Sequence, residues 1–395
     1  MGHIGRRVQP PHDNQRIRAC EVAFERPVGP FDISPVIEQY TREIVTQTLN
    51  EYPDLTGIGL TLGERMGGMT SEQRRDWVNR TLIAGLKAAD RKARLIYRAP
   101  LSANKKSGGS VSVTTEQITR QTIETMGMED PVWIEFKFNW SHGHSSPRLS
   151  IVHGGMLTDT YWEPYSDKYK AIWTMRNEDF FVLRWAQPDF IREFIRLNSQ
   201  PYAAGCFIGS ECYIPAKDFM TQPQHQHWDY AFQRQWLFYK VWGNLLFNPA
   251  TPDSDFAQAL AGKFPGTDGM NLLQAWKLAS NSANRLGSFY RATWDGTLYS
   301  EAFAKNGGKL IRIEELIKQP VLDDAHYISI DEYVNQGITD AGRVTPLQLA
   351  DQLDVDCQEA QRLAAIAEKQ SASPILKIEL NAVSYTHLTL PTIQL

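Results

Sequence analysis

The chain has 395 residues, enough for two or three domains, and its 42% hydrophobic against 22% charged residues exclude a disordered polar tail. Its 41 basic and 45 acidic side chains leave a formal net charge of −4, which points away from a nucleic-acid backbone as the main partner. No run of 18 apolar residues occurs, so no membrane-spanning helix is expected.

Residues 1–17 read as an irregular segment, since Met1 to Pro11 carries charge and proline but no apolar signal region. Short apolar β-rich runs then recur with helical stretches between them. Predicted strands are Ala19–Phe24, Thr56–Leu60, Arg94–Arg98, Val132–Phe138, Ala171–Met175 and Ala203–Ile208. Predicted helices between them are Ile37–Glu51, Ser71–Asp90, Thr115–Met126 and Pro188–Asn198. Ser71 is the expected N-cap of the second, with Arg74, Trp77, Val78 and Leu82 as its inner stripe. Strand, helix, strand repeated in this way implies parallel pairing through right-handed crossovers. The fold class is therefore α/β, a (β/α)8 TIM-type barrel over residues 18–220. About six βα units fit at roughly 30 residues each. Eight units close such a barrel, so two units are expected to be missing from the start.

After Pro215 the period changes to 3.6, and an α-helical C-terminal domain is expected over 221–382. Trp228, Phe232, Trp236, Tyr239, Trp242 and Leu246 share one helical face and are predicted to pack on the barrel. Helices follow at Asp253–Lys263, Asn271–Asn284 and Leu310–Lys318. Thr345, with Pro346 at the first turn, opens a helical pair completed by Gln358–Lys369. This domain is expected to cover one side of the barrel or to form a homodimer surface. Residues 383–395 contain no charge and read as a non-native tail.

Cys20, Cys206, Cys212 and Cys357 have neither CxxC spacing nor a histidine at zinc-finger distance, so no disulfide framework and no structural zinc are predicted. No GxGxxG or GxxxxGK loop occurs, and no organic cofactor is implied. The 11 Trp, 15 Tyr and 17 Phe fill a core, and as a group they also suit carbohydrate binding.

Barrel chemistry sits at the C-terminal ends of strands. Those ends carry Glu64 and Arg65, then Arg98, then Lys137, Asn139, Trp140, His142 and His144. Arg176, Glu178 and Asp179 follow the next strand, and Glu211 the last. Mixed carboxylates and cations point to a polar anionic or sugar substrate. Two carboxylates at opposed strand ends are what glycoside hydrolysis needs, and Glu64 and Glu178 are the best-placed pair. Glu135, two residues before Lys137, shares its strand face and can neutralise it. His142 and His144 could instead ligate a metal with a strand-end carboxylate, although with His153 they form no compact zinc motif. His225 and His227 belong to a polar loop.

The order of these motifs resembles α-glucuronidase-type glycoside hydrolases. The resemblance runs through Tyr52-Pro-Asp-Leu-Thr-Gly-Ile-Gly-Leu-Thr-Leu-Gly-Glu64, Leu95-Ile-Tyr-Arg98, Trp133-Ile-Glu-Phe-Lys137, Arg176-Asn-Glu178 and Ala204-Gly-Cys-Phe-Ile-Gly-Ser210. It also covers the helical Gln235 to Pro249 and spans about residues 40–260. It implies Glu64 as general acid and Arg98 and Lys137 as the holders of a uronate carboxylate. It implies Glu178 in the base pair, with Asp179 beside it, and inverting chemistry with carboxyls about 6.5–9.5 Å apart. The family's aspartate five residues after the lysine is His142 here, and its first barrel strands have no counterpart. The expected activity is therefore cleavage of a glycosidic bond in a poly- or oligosaccharide, with Asn139, Trp140, His142, His144, Arg176 and Glu211 as further substrate contacts. A non-catalytic carbohydrate-binding barrel and a metal-dependent hydrolase are the alternatives.

Overall fold

The computed structural model describes residues 33–60, 69–98, 120–141, 144–152, 155–156, 166–177, 185–210, 233, 235–289, 304–305, 309–310, 312–377 and 379–380. The predicted strand Ala19–Phe24 and the segments 1–17 and 383–395 lie outside these residues.

Helix α1 (Pro35–Glu51) leads into strand β1 (Gly57–Leu60). Helix α2 runs as Ser71–Val78, a π-helical turn Asn79–Ile83 and Ala84–Lys87. Its N-cap is Thr70 rather than Ser71. The Thr70 hydroxyl accepts from the Gln73 amide at 3.2 Å, while the Gln73 side chain accepts from the Thr70 amide at 2.9 Å. Strand β2 (Arg94–Arg98) and, after a helical stretch at 120–125, strand β3 (Val132–Lys137) follow. A 3-10 turn (Phe138–Ser141) and the hairpin β4 (Ile151–Val152) and β5 (Gly155–Met156) separate β3 from β6 (Tyr169–Asn177). Helix α3 (Pro188–Asn198) then crosses to β7 (Ala203–Ser210).

The five long strands form one sheet in the order β1-β2-β3-β6-β7, every pair parallel. The architecture is α/β, and the sequential, all-parallel strand order is consistent with a partial α/β barrel. Alternation along the strands explains the burial. Leu95, Tyr97, Val132, Ile134, Phe136, Ala171, Trp173 and Met175 enter the core on one face. Arg98, Trp133, Glu135, Lys137, Lys170 and Thr174 occupy the other.

Seven further helical and hairpin elements complete the described chain. They are α4 (Trp236–Phe247), α5 (Asp253–Lys263), α6 (Gly269–Phe289), the hairpin β8 (Ala304–Lys305) and β9 (Lys309–Leu310), α7 (Ile313–Ile317), α8 (Ile330–Gln336) and α9 (Pro346–Gln370). The sheet, α3, α4, α5, α6 and α9 all contribute to one apolar cluster. The predicted aromatic stripe of α4 is displaced by about one position. Leu237, Phe238, Val241, Trp242 and Leu245 are buried, whereas Tyr239 and Leu246 are exposed. Trp228 and Phe232 lie outside the described residues. The predicted helical pair is a single helix, α9, capped by Thr345 through a reciprocal pair of bonds with Gln348.

An ion network ties α3, α5 and α6 together. Asp253 accepts from Arg192 at 2.7 Å and from Lys277 at 3.0 Å, and both cations also reach Asp189. Burial alone would raise the Asp253 carboxyl, but the hydrogen bonds from Arg192 and Lys277 outweigh it and hold the group below the usual carboxylate range. A lowered folded-state value means that the stabilisation is complete above the unfolded value near ~3.9 and fades as pH falls through the folded one. Asp253→Asn is expected to cost about 1–2 kcal/mol at neutral pH. Urea unfolding at pH 7 and pH 3 checks it: the difference from wild type should shrink at the lower pH.

Candidate functional site

The candidate site is built at the C-terminal end of the sheet, on the face turned away from the apolar cluster. Strand register sets Arg98 of β2 directly beside Glu135 of β3, and Lys137 of β3 directly beside Thr174 of β6. Backbones of paired strands lie about 4.8 Å apart, so these four side chains form one contiguous polar row. The Thr174 hydroxyl donates to Glu135 Oε1 at 2.8 Å. Lys137 is only 6% exposed and Thr174 2%, while Arg98 and Glu135 are half-buried. A buried ammonium needs anionic or polar company, and Glu135 lies two residues away on the same strand face. Glu135 and Lys137 share one strand face, as the alternation in the sequence predicts. Thr174 was missed there. Its signal was the alternation Lys170, Ile172, Thr174, Arg176, which puts it on the polar face.

Beyond Lys137 the chain turns sharply. Asn139 adopts φ 47°, the left-handed region that asparagine tolerates better than most residues. Its side-chain amide donates to the carbonyls of Ser146 at 3.1 Å and Arg148 at 2.9 Å, and its Oδ1 accepts from the Ser150 amide at 2.8 Å. Asn139 is 0% exposed. Both ends of its amide are thus engaged with the loop backbone rather than turned outward. Asn139→Gly keeps the φ and should lose about 2–3 kcal/mol from the missing bonds, and Asn139→Ala should lose about 1 kcal/mol more for the left-handed backbone. Thermal unfolding of the two variants side by side reads this order.

His144 is likewise engaged within the fold. It is 3% exposed and its ring is surrounded by Trp185, Phe190, Phe238 and Trp242. The Trp242 indole donates to His144 Nε2 at 3.2 Å, which engages that nitrogen as an acceptor. The ring is packed into the aromatic core, and its Nε2 is already engaged by Trp242. Neighbouring polar links fix the same loop to α6 and to the segment that follows α7. The Ser146 hydroxyl donates to Asp323 at 2.7 Å, and the Ser288 hydroxyl donates to the Ser145 carbonyl at 2.5 Å.

Trp140 belongs to the 3-10 turn and Arg176 to β6, immediately beyond the row in register. Their side chains, together with Glu64, His142, Glu178, Asp179 and Glu211, lie outside the described residues. The loops that carry the two expected catalytic carboxylates therefore follow β1 and β6, three strands apart in sheet order. A separate cavity of about 410 Å³ is lined by Lys87, Asp90, Arg91, Lys92, Gly127 and Glu129. It opens at the N-terminal ends of β2 and β3, the end of a barrel associated with stability rather than chemistry.

No family model matches the chain, and no curated protein matches it. Among solved structures it is similar to one described as a GH138 enzyme targeting pectin rhamnogalacturonan II, with a TM-score of 0.60 and 16% sequence identity. The match covers 93% of this chain and 41% of that one, so the chain spans about two fifths of that protein's length. At this identity the similarity is one of fold, and it assigns the described sheet and helices to the architecture that this glycoside hydrolase uses.

Proposed function

We propose that the chain carries the sugar-holding sheet of a glycoside hydrolase that acts on a uronic-acid-containing oligo- or polysaccharide. The observation that carries this reading is the row Arg98, Glu135, Thr174, Lys137 at the strand ends, on the sheet face turned away from the apolar cluster. Arginine and lysine side chains on a rigid sheet give charge-assisted hydrogen bonds to a sugar carboxylate. The fold similarity to an enzyme that targets a pectin polysaccharide supports the same class of chemistry. In this reading Glu64, after β1, protonates the leaving oxygen, and Glu178, after β6 with Asp179 beside it, activates water from the opposite side. Trp140, His142, Arg176 and Glu211 contact the sugar around them.

A binding barrel without turnover is the second reading. It is favoured by His142, which stands where the resembling family has an aspartate. Incubation of the protein with uronic-acid oligosaccharides, followed by both calorimetry and release of reducing ends, separates the two. Release of reducing ends supports the hydrolase, binding without release supports the binder, and neither result overturns both.

A further inference from the structure

The loop that follows β3 is held by residues far away in the chain. It meets the end of α6 and the segment between α7 and α8 at one buried junction, where Ser145, Ser146, Ser288 and Asp323 are each at most 8% exposed. The Ser288 carbonyl, near the end of α6, accepts from the amides of Leu322 and Asp323 at 3.0 and 3.1 Å, which satisfies a helix-end acceptor. The Ser288 hydroxyl donates to the Ser145 carbonyl at 2.5 Å. Asp323 Oδ2 accepts from the Ser146 hydroxyl at 2.7 Å, and that hydroxyl in turn accepts from the Arg148 amide at 3.1 Å. The carbonyls of Ser146 and Arg148 are the two that the Asn139 side chain holds. One continuous set of hydrogen bonds thus runs from Asp323 through Ser146 to Asn139, which lies two residues beyond Lys137 and one before Trp140.

Asp323 Oδ1 has no hydrogen-bond partner among the described residues. A buried carboxyl with one oxygen unmatched is a cost to folding, so stability alone does not account for it. We infer that Asp323 is a positioning residue, which through Ser146 fixes the turn at Asn139 and hence the direction in which the chain leaves β3 toward Trp140 and His142. The use of that loop to hold a sugar rests on the hydrolase reading, whereas the brace itself does not.

Three variants separate the possibilities. Asp323→Ala leaves the buried Ser146 hydroxyl without its acceptor, and Ser288→Ala cuts the parallel bond to the Ser145 carbonyl without touching a charge. In each, the Arg148 and Ser150 amides, which donate into this network, should exchange their hydrogens about tenfold faster, while β3 and β6 keep their wild-type protection. Asp323→Asn retains an acceptor for Ser146 and should exchange as wild type does. On a uronic-acid oligosaccharide, Asp323→Ala and Ser288→Ala should raise KM severalfold with kcat close to wild type, because the loop carries proposed sugar contacts and neither proposed catalytic glutamate. Asp323→Asn should keep the wild-type KM.

The test is hydrogen exchange read by mass spectrometry on wild type and the three variants, with thermal unfolding and steady-state kinetics of each. Faster exchange confined to the loop, with the matching rise in KM and wild-type behaviour in Asp323→Asn, establishes the positioning role. Unchanged loop exchange in both Asp323→Ala and Ser288→Ala overturns it. Faster exchange spread over the sheet in step with a lower Tm also overturns it and assigns the junction to general stability. A loosened loop with an unchanged KM limits Asp323 to the support of the loop and likewise overturns its role toward the sugar. If Asp323→Ala does not fold, Ser288→Ala gives the same reading. Absence of both turnover and sugar binding in wild type counts against the hydrolase reading alone, since loop exchange still decides the brace.

Discussion

Trp242→Ala should lower folding stability by about 3–5 kcal/mol, the range for removing a fully buried tryptophan. Trp242 is 1% exposed and joins α4 to two other parts of the fold. Its ring stacks on Trp185 with centroids 6.3 Å apart, meets Phe194 of α3 edge-on at 5.5 Å, and donates to His144 in the loop after β3. The substitution therefore opens a large cavity and also removes a hydrogen bond from a buried imidazole. The two contributions separate in His144→Phe, which keeps an aromatic ring but leaves the indole N–H with no acceptor. That variant should cost about 1–3 kcal/mol. Urea unfolding measures both, and a loss under about 1 kcal/mol for Trp242→Ala would show that the ring cluster does not join the strand-end loop to the helices.

The same residues explain what could be read from the sequence. Strands β2, β3, β6 and β7 were legible because each is an apolar run flanked by charged or turn residues, with sheet neighbours on both sides or helices above. Helices α3 and α5 were legible from proline and aspartate at their starts. The aromatic spacing of α4 points to a face offset from the buried one, because Leu237, Val241 and Leu245 fill the 0–2% exposed positions. Helix α9 was split because Asp351, Asp354 and Asp356 interrupt its apolar pattern. In the fold Asp356 faces Arg285 of α6 at 3.1 Å, so the interruption is a partnered contact between two helices.

The candidate site was legible only where strand alternation governs it. Arg98, Glu135 and Lys137 share a face because their strands pair in parallel, and period two predicts that for Glu135 and Lys137 alone. Asn139 and His144 follow the strand and are polar, which made them look like ligand contacts. Their roles depend on a left-handed turn at Asn139 and on aromatic rings from α3 and α4, partners up to 98 residues away in the case of Trp242. Local sequence contains neither piece of information.

The second large effect concerns the reaction. A general acid or base supplies about 10²–10⁴-fold of rate. Glutamine preserves the shape of either glutamate and removes its capacity to exchange a proton. Glu64→Gln and Glu178→Gln should therefore each slow glycosidic cleavage by at least about 100-fold while leaving binding of the oligosaccharide close to that of wild type. If Asp179 shares the role of base, Glu178→Gln will keep more residual rate than Glu64→Gln, and the double change at 178 and 179 will bring it down to the same level.

Release of reducing ends from a uronic-acid oligosaccharide by wild type, Glu64→Gln and Glu178→Gln, with affinity measured in parallel, is the most direct measurement. The account predicts turnover by wild type and a loss of at least about 100-fold in both variants with binding retained. Turnover at the wild-type rate in either variant would contradict it.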